Sequence, residues 1–478
     1  MNAARFWGQL STRVLPFADA ATPELPMGRL LRLSLFQVTV GMAAALLIGT
    51  LNRVMIIELG ASASLVACML ALPLIFAPAR AIVGFKSDHH RSAFGWKRVP
   101  YLWFGTLLQF GGLAILPFAL LVMSGDNHAP VVLGQAAAAF AFLLIGAGLH
   151  TVQTAGLALA TDLAPEEARP RVVALLYVML LVGTLLSAVA IGWALKDYSQ
   201  LRLIQVIQGA AALTAALNLA ALWKQEARSP SEERGERADF SVAWRGFIAR
   251  PRTRRLLIAI SCGGAAFAAQ DVLVEPYGGE VLGLSVGQTT WLTALWAGGT
   301  LAGFAVAARQ LKLGADPLRL AGFGVAGGMM AFLMVIMAAP LASAPLLSAG
   351  VIATGVGGGL FAVGTLVAAM MLAEAEGSGL ALGAWGAAQA TAIGVAIAGG
   401  GIARDLIGRA ALSGMFGEGL VSRTTGYVSV YLFEVVMLLV TLAVLGPLAG
   451  RNLNDDPETA APPFGAIRPT LLEETAHG

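Results

Sequence analysis

The sequence predicts an all-α polytopic membrane protein with twelve transmembrane helices in two six-helix halves. Three observations predict it. Hydrophobic residues make up 57% of the chain and charged residues 12%, whereas soluble domains carry roughly 25% charged residues. The apolar residues come in blocks of about 20, enough to cross roughly 30 Å of hydrocarbon. One long polar segment divides those blocks into two sets.

Taken in order, residues 1–34 form a polar N-terminal segment. There Phe6, Trp7, Leu10 and Val14 recur at helical spacing beside Arg5 and Arg13, the pattern of an interfacial helix. No short apolar core of a cleavable signal follows, so the first span is expected to act as an uncleaved anchor. The spans are expected at 35–57, 63–85, 99–123, 130–155, 171–195 and 201–223, forming a first half over 35–223. The second half, over 255–450, is expected to hold spans at 255–275, 287–308, 318–340, 346–372, 379–402 and 427–449. Between the halves, residues 224–254 read as a flexible linker rich in charge, with Ser229-Pro230-Ser231 inside it. The tail, 451–478, carries Pro457, Pro462 and Pro463 and is expected to stay disordered. Most of the 31 Lys and Arg fall in the N-terminal segment and the alternate loops and tail that share its side of the membrane. The positive-inside rule therefore places both termini in the cytoplasm.

The halves repeat faintly. Asn52-Arg53-Val54-Met55-Ile56 resembles Gln270-Asp271-Val272-Leu273-Val274, and Leu59-Gly60-Ala61-Ser62 resembles Leu282-Gly283-Leu284-Ser285. Two parallel six-helix repeats joined by a long cytoplasmic loop describe the major facilitator architecture.

Composition excludes several functions. The net charge of +3 forms no basic stripe, so nucleic acid is not an expected partner; the bilayer is. Cys68 and Cys262 lie in apolar blocks, where a thiol behaves as a small hydrophobe. No Walker loop, dinucleotide fingerprint or Cys/His cluster is present, which predicts a protein that is not an enzyme and holds no free metal. Gly355-Val356-Gly357-Gly358-Gly359 and Gly399-Gly400-Gly401 sit in apolar spans, where small residues let helices approach.

Four groups of residues could carry function. Gly84 and Asp88, leading into Gly95, Lys97 and Arg98, match the glycine, aspartate and basic cluster of the major facilitator loop between spans two and three. They read either as a gating latch or as a positive-inside determinant. Arg53, Asp271, Glu275 and Glu434 are charged groups at membrane depth, which usually face a bundle interior. Arg53 and Asp271 occupy matching positions with opposite signs and suggest an ion pair between the halves. Glu275 and Glu434 read as a proton or substrate site, or as interhelical hydrogen bonders. His150, with Gln153 on the same helical face, could supply an axial ligand to a pigment magnesium. Hydrogen bonding between helices is the commoner role of a lone membrane histidine. Trp103 and Trp385 could stack on a flat ligand or simply pack.

Longer runs resemble one family. Gly84-Phe85-Lys86-Ser87-Asp88-His89-His90-Arg91-Ser92, continuing to Gly95-Trp96-Lys97-Arg98-Val99-Pro100-Tyr101, resembles the bacteriochlorophyll-delivery branch of the major facilitator superfamily, with its PucC and LhaA types. So do Leu51-Asn52-Arg53-Val54-Met55-Ile56, Ala160-Thr161-Asp162-Leu163-Ala164, Gly383-Ala384-Trp385-Gly386-Ala387 and Gly401-Ile402-Ala403-Arg404-Asp405. The run from Ala269 through Asp271 and Glu275 to Gly279 belongs with them, and the resemblance covers roughly residues 25 to 450. Leu15-Pro16-Phe17-Ala18-Asp19-Ala20 and the overall length look more like the LhaA type.

The resemblance implies a light-harvesting assembly factor of the photosynthetic inner membrane, one that binds or delivers bacteriochlorophyll. Its implied partners are antenna polypeptides, with the reaction centre and pigment-synthesis enzymes beside them. The LhaA type implies the core antenna. The other reading of the residues is a proton-coupled transporter of a small solute.

Overall fold

The computed structural model describes residues 21–22, 25–76, 96, 98–125, 129–165, 168–226, 245, 248–373 and 378–449. The chain enters the bundle through α1 (Met27–Leu33) and α2 (Leu35–Leu46). It continues as α3 (Ala63–Ala71), α4 (Val99–Met123), α5 (Val131–Leu163), α6 (Arg169–Ala194) and α7 (Gln200–Leu222). The second half runs α8 (Pro251–Ala268), α9 (Val274–Leu282), α10 (Val286–Lys312), α11 (Pro317–Ala338), α12 (Ala344–Ala373), α13 (Ser378–Leu412) and α14 (Thr424–Leu445).

Eleven of the described helices are long and apolar enough to cross a membrane, against the twelve expected. The second expected span, 63–85, is represented by the shorter apolar stretch Ala63–Leu74. Its remainder lies outside the described residues, as do the 1–20 segment, most of the linker and the tail. Several helices outrun the hydropathy blocks: α5 continues to Leu163 and α13 to Leu412. Hydropathy marks only the hydrocarbon stretch, whereas a helix persists as long as its backbone groups are best satisfied internally.

Helix starts follow local chemistry. Ser62, Ser199 and Ser285 accept backbone N–H bonds from the first turns of α3, α7 and α10. Asp316 caps α11 by accepting from Leu318 N at 2.7 Å and Arg319 N at 3.1 Å.

The internal repeat acquires a structural meaning here. Gly60 and Gly283 both hold left-handed backbone, at φ 66° and 68°. Each lies two residues before the serine that caps the next helix. Both sequence motifs are thus one device: a left-handed turn followed by a capped restart. The helices entering these turns are both irregular. The first passes through π-helical turns at Leu47–Leu51 and Val54–Glu58, flanking Asn52 and Arg53. The seventh expected span breaks into a 3₁₀ turn, Ala269–Val272, between α8 and α9. The segments that resemble each other in sequence therefore both depart from the α-helix.

Small residues bring the halves together. A Cβ on Gly287 of α10 would come within 2.6 Å of the Gly192 carbonyl of α6. One on Gly401 of α13 would come within 2.7 Å of the Ala63 carbonyl of α3. Backbone contact this close is the packing mode that small residues allow in a bilayer.

Candidate functional site

Two polar clusters join the halves at the end of the bundle that carries the turns 59–62 and 283–285. In the first, Asn52 is fully buried. Its Nδ2 donates to Glu275 Oε2 at 3.2 Å and to the Asp271 carbonyl at 3.4 Å. Glu275 Oε1 accepts from Thr293 Oγ1 at 2.7 Å, and Thr50 and Thr290 share a hydroxyl bond at 3.1 Å.

Arg53 does not pair with Asp271, contrary to the expectation from sequence. Its Nη1 pairs with Glu58, and its Nη2 donates to the Leu284 carbonyl at 3.1 Å. The cause is the π-helical turn, which brings residues five apart onto one face and so supplies Arg53 with a carboxylate from its own helix. Asp271 instead faces Glu275 and Glu434. Tyr198, in the turn between α6 and α7, faces the Arg53–Glu58 pair. Burial and then Glu58 raise its hydroxyl above the usual tyrosine value, and Arg53 opposes them.

The second cluster was not foreseen. The Ser64 N–H donates to Asp405 Oδ2 at 2.7 Å, and the Ser64 hydroxyl joins the same oxygen. Arg404 pairs with Asp405 at 2.9 Å and with Glu280 at 2.5 Å. Tyr427 donates to Glu280 at 2.7 Å, under the Arg404 guanidinium 4.5 Å from its ring centre. The adjacent Arg404-Asp405 pair, just past the span expected at 379–402 and inside the longer α13, was the signal that could have found it.

At the opposite end, Arg98 is the described member of the expected latch. Its Nε donates to Asp162 at 3.0 Å, and its backbone N–H to Glu226 at 3.1 Å. These contacts tie Arg98 to α5 and to the start of the linker. Gly84, Asp88, Gly95 and Lys97 lie outside the described residues.

A groove of about 940 Å³ opens between α8, α13 and α14. Ala388, Ala392, Ala396 and Gly400 recur every fourth residue along its α13 wall, because side chains four apart stack on one helix face. Val395 and Phe433 form its lips at 71% and 59% exposure, so the groove faces sideways, toward lipid. Ala269 and Glu434 lie at its inner end, where α8 gives way to the 3₁₀ turn. Glu434 is 0% exposed, with the Gln270 backbone amide and Asp271 as polar neighbours. The Gln270 backbone N–H is the donor beside its carboxyl, and neither oxygen makes a well-formed hydrogen bond. The Tyr431 hydroxyl and Gln270 Oε1, both also buried, make none either.

The expected pigment residues do not converge on this groove. His150 and Gln153 sit on α5, in the first half, where Gln153 is buried. Trp103 is 42% exposed on α4. Trp385 lies in the other half, and its Nε1 donates to Thr365 Oγ1 at 3.3 Å. Among the described residues, no group of three His, Cys, Asp or Glu could hold a metal ion.

Apolar spans, irregular helices at matching positions and glycine-lined helix contacts define an all-α polytopic membrane protein. A solved bacterial homolog of the human lysosomal transporter Spinster shares the fold, with a TM-score of 0.64 at 14% identity over 87% of this chain and 95% of that one. The PUCC protein family matches residues 50–453, and the chain belongs to that family. A Rhodobacter capsulatus protein described as uncharacterized, in the puhA-bchM intergenic region, is 54% identical over 93% of this chain and 94% of its own. The protein PucC of Rhodovulum sulfidophilum is 55% identical over 83% and 89%. More distantly, the bacteriochlorophyll synthase 44.5 kDa chain of Rhodobacter capsulatus is 29% identical over 79% and 88%.

Proposed function

We propose that this protein is a non-enzymatic assembly factor of the photosynthetic inner membrane that binds bacteriochlorophyll and hands it to light-harvesting polypeptides. The observation that carries the reading is the groove between α8, α13 and α14. It is apolar, opens to the bilayer, and at about 940 Å³ sits at the upper end of the ~300–1,000 Å³ typical of ligand pockets. A pigment with an apolar ring and tail would enter from lipid without crossing water. Family membership and the distant relative named for bacteriochlorophyll synthase support the same choice of cargo. In this reading both termini are cytoplasmic, and the LhaA-type assignment makes the core antenna around the reaction centre the destination. Pigment-synthesis enzymes are the expected source.

An absorption spectrum of the protein, purified gently from its native membrane, tests the proposal. Bacteriochlorophyll should co-purify. Intact protein without pigment would overturn the reading. A His150→Ala variant measured alongside should keep its pigment if the groove is the site, and lose it if His150 is the magnesium ligand.

One observation favours a second reading. The carboxylates Asp271, Glu275 and Glu434 gather at a broken helix, the arrangement secondary transporters use for ion-coupled sites. Solute-driven proton uptake into vesicles, abolished by Glu275→Gln, would establish that alternative.

A further inference from the structure

Three buried polar groups that make no well-formed hydrogen bond gather where α8 breaks: Glu434, with only the Gln270 backbone amide beside it, the Tyr431 hydroxyl and Gln270 Oε1. Buried polar groups are almost always hydrogen-bonded, and an orphan costs free energy in proportion to its desolvation. Tyrosine neighbours do not relieve it. Tyr431 packs edge-on against Tyr277 at 5.5 Å, and the Tyr277 hydroxyl is already spent on the Val335 carbonyl at 3.0 Å. Of the three groups, Glu434 borders the groove.

The groove supplies the rest of a recognition surface. Its α13 wall is a strip of alanine and glycine, flat enough for a planar ring to lie against. Its other polar lining is sparse: Ser261, Cys262, Thr391 and Ser429. Among the described residues, no histidine lines it, and His150 belongs to the other half of the chain.

We infer that the Glu434 carboxyl is the polar anchor of the groove, hydrogen-bonding an oxygen-bearing substituent of a flat tetrapyrrole, and that recognition there does not require the ring's metal. This rests on the pigment-binding reading and narrows it. The ligand class becomes the tetrapyrrole ester with or without its magnesium. The protein then accepts a metal-free ring as readily as the finished pigment.

The test uses the full-length protein in lipid nanodiscs, titrated in parallel with bacteriochlorophyll and magnesium-free bacteriopheophytin and read by ring absorption. Each variant is checked for an unchanged size-exclusion profile. Wild type should bind both rings with affinities within about threefold. Ala392→Trp, which fills the groove, should abolish binding of both. Glu434→Leu should weaken both about tenfold, the loss of one hydrogen bond. Glu434→Gln, which retains a hydrogen-bonding group, should stay within about threefold of wild type. Binding of the magnesium form alone would overturn the inference, since ligation of the metal would then be required. Pigment binding untouched by Ala392→Trp and Glu434→Leu would also overturn it, leaving the broader pigment-binding function standing with a site elsewhere. Failure of folded wild type to bind either ring would remove that function and the inference together. Displacement from the groove of a phospholipid only, seen by native mass spectrometry of wild type against Ala392→Trp, would overturn the inference in favour of a lipid site.

Discussion

Arg53 illustrates what a single residue in a bilayer demands. A buried guanidinium needs acceptors, and here it finds Glu58 on its own helix and the Leu284 carbonyl across the seam. Removing the Glu58 charge should therefore matter more than removing that of Asp271. Glu58→Gln is expected to cost about 1.5–3 kcal/mol, the range for hydrogen bonds to charged groups. Thermal unfolding of the purified protein in detergent measures it. A double reversal, Arg53→Asp with Asp271→Arg, should give no rescue over the single changes, and recovery of stability would restore the cross-half pair. The sequence showed that Arg53 and Asp271 matter as charged groups at membrane depth. It did not show their partners, because pairing turns on a π-helical register that no hydropathy pattern reports. Glu434 was visible as an intramembrane carboxylate in the same way. The groove beside it was not, because alanine and glycine read identically whether they close a seam or wall a cavity.

Elements show the reverse balance, with sequence motifs predicting geometry well. Gly60 to Ser62 and Gly283 to Ser285 resemble each other because both end a transmembrane helix in left-handed backbone and restart the next under a serine cap. Gly283→Ala should destabilise by roughly 1–2 kcal/mol, the cost of a Cβ in the left-handed region. Ser285→Ala should cost about 1 kcal/mol through the lost cap. Both are readable as shifts in thermal midpoint, and Gly60→Ala should mirror the first. A null result for Gly283→Ala would mean the turn has an alternative conformation. The irregular helices feeding these turns escaped the sequence. An apolar run gives the same 20-residue signal whether its turns are α, 3₁₀ or π. Only Gln270 and Asp271 marked the second break.

Among the described residues, the polar contacts between the halves gather at one end. Asn52 to Glu275, Arg53 to Leu284 and Ser64 to Asp405 all cross beside the turns at 59–62 and 283–285, whereas Arg98 at the other end bonds Asp162 of the first half and Glu226 of the linker. Cysteines replacing Ser64 and Asp405, in a background lacking Cys68 and Cys262, should therefore cross-link readily in native membranes under mild oxidant. Electrophoretic mobility after cleavage in the linker reads the result, and absence of the cross-link would mean that the halves are parted at this end in the membrane. Gly401→Leu should reduce the yield, since a side chain there meets the Ala63 carbonyl.

The described lining of the groove comes from α8, α13 and α14, and α13 also carries the Gly401 and Asp405 contacts to α3. A ligand can shift a conformational equilibrium only by binding its two states unequally. In the proposed reading, cargo lies against α8, α13 and α14 and touches no described residue of the first half, so loading it does little work on the seam. On that proposal the protein is a shelf in the membrane plane and not a turnstile across it: pigment is parked and collected by sideways diffusion, and the rate of handover is set by how often a client polypeptide collides with the open lip.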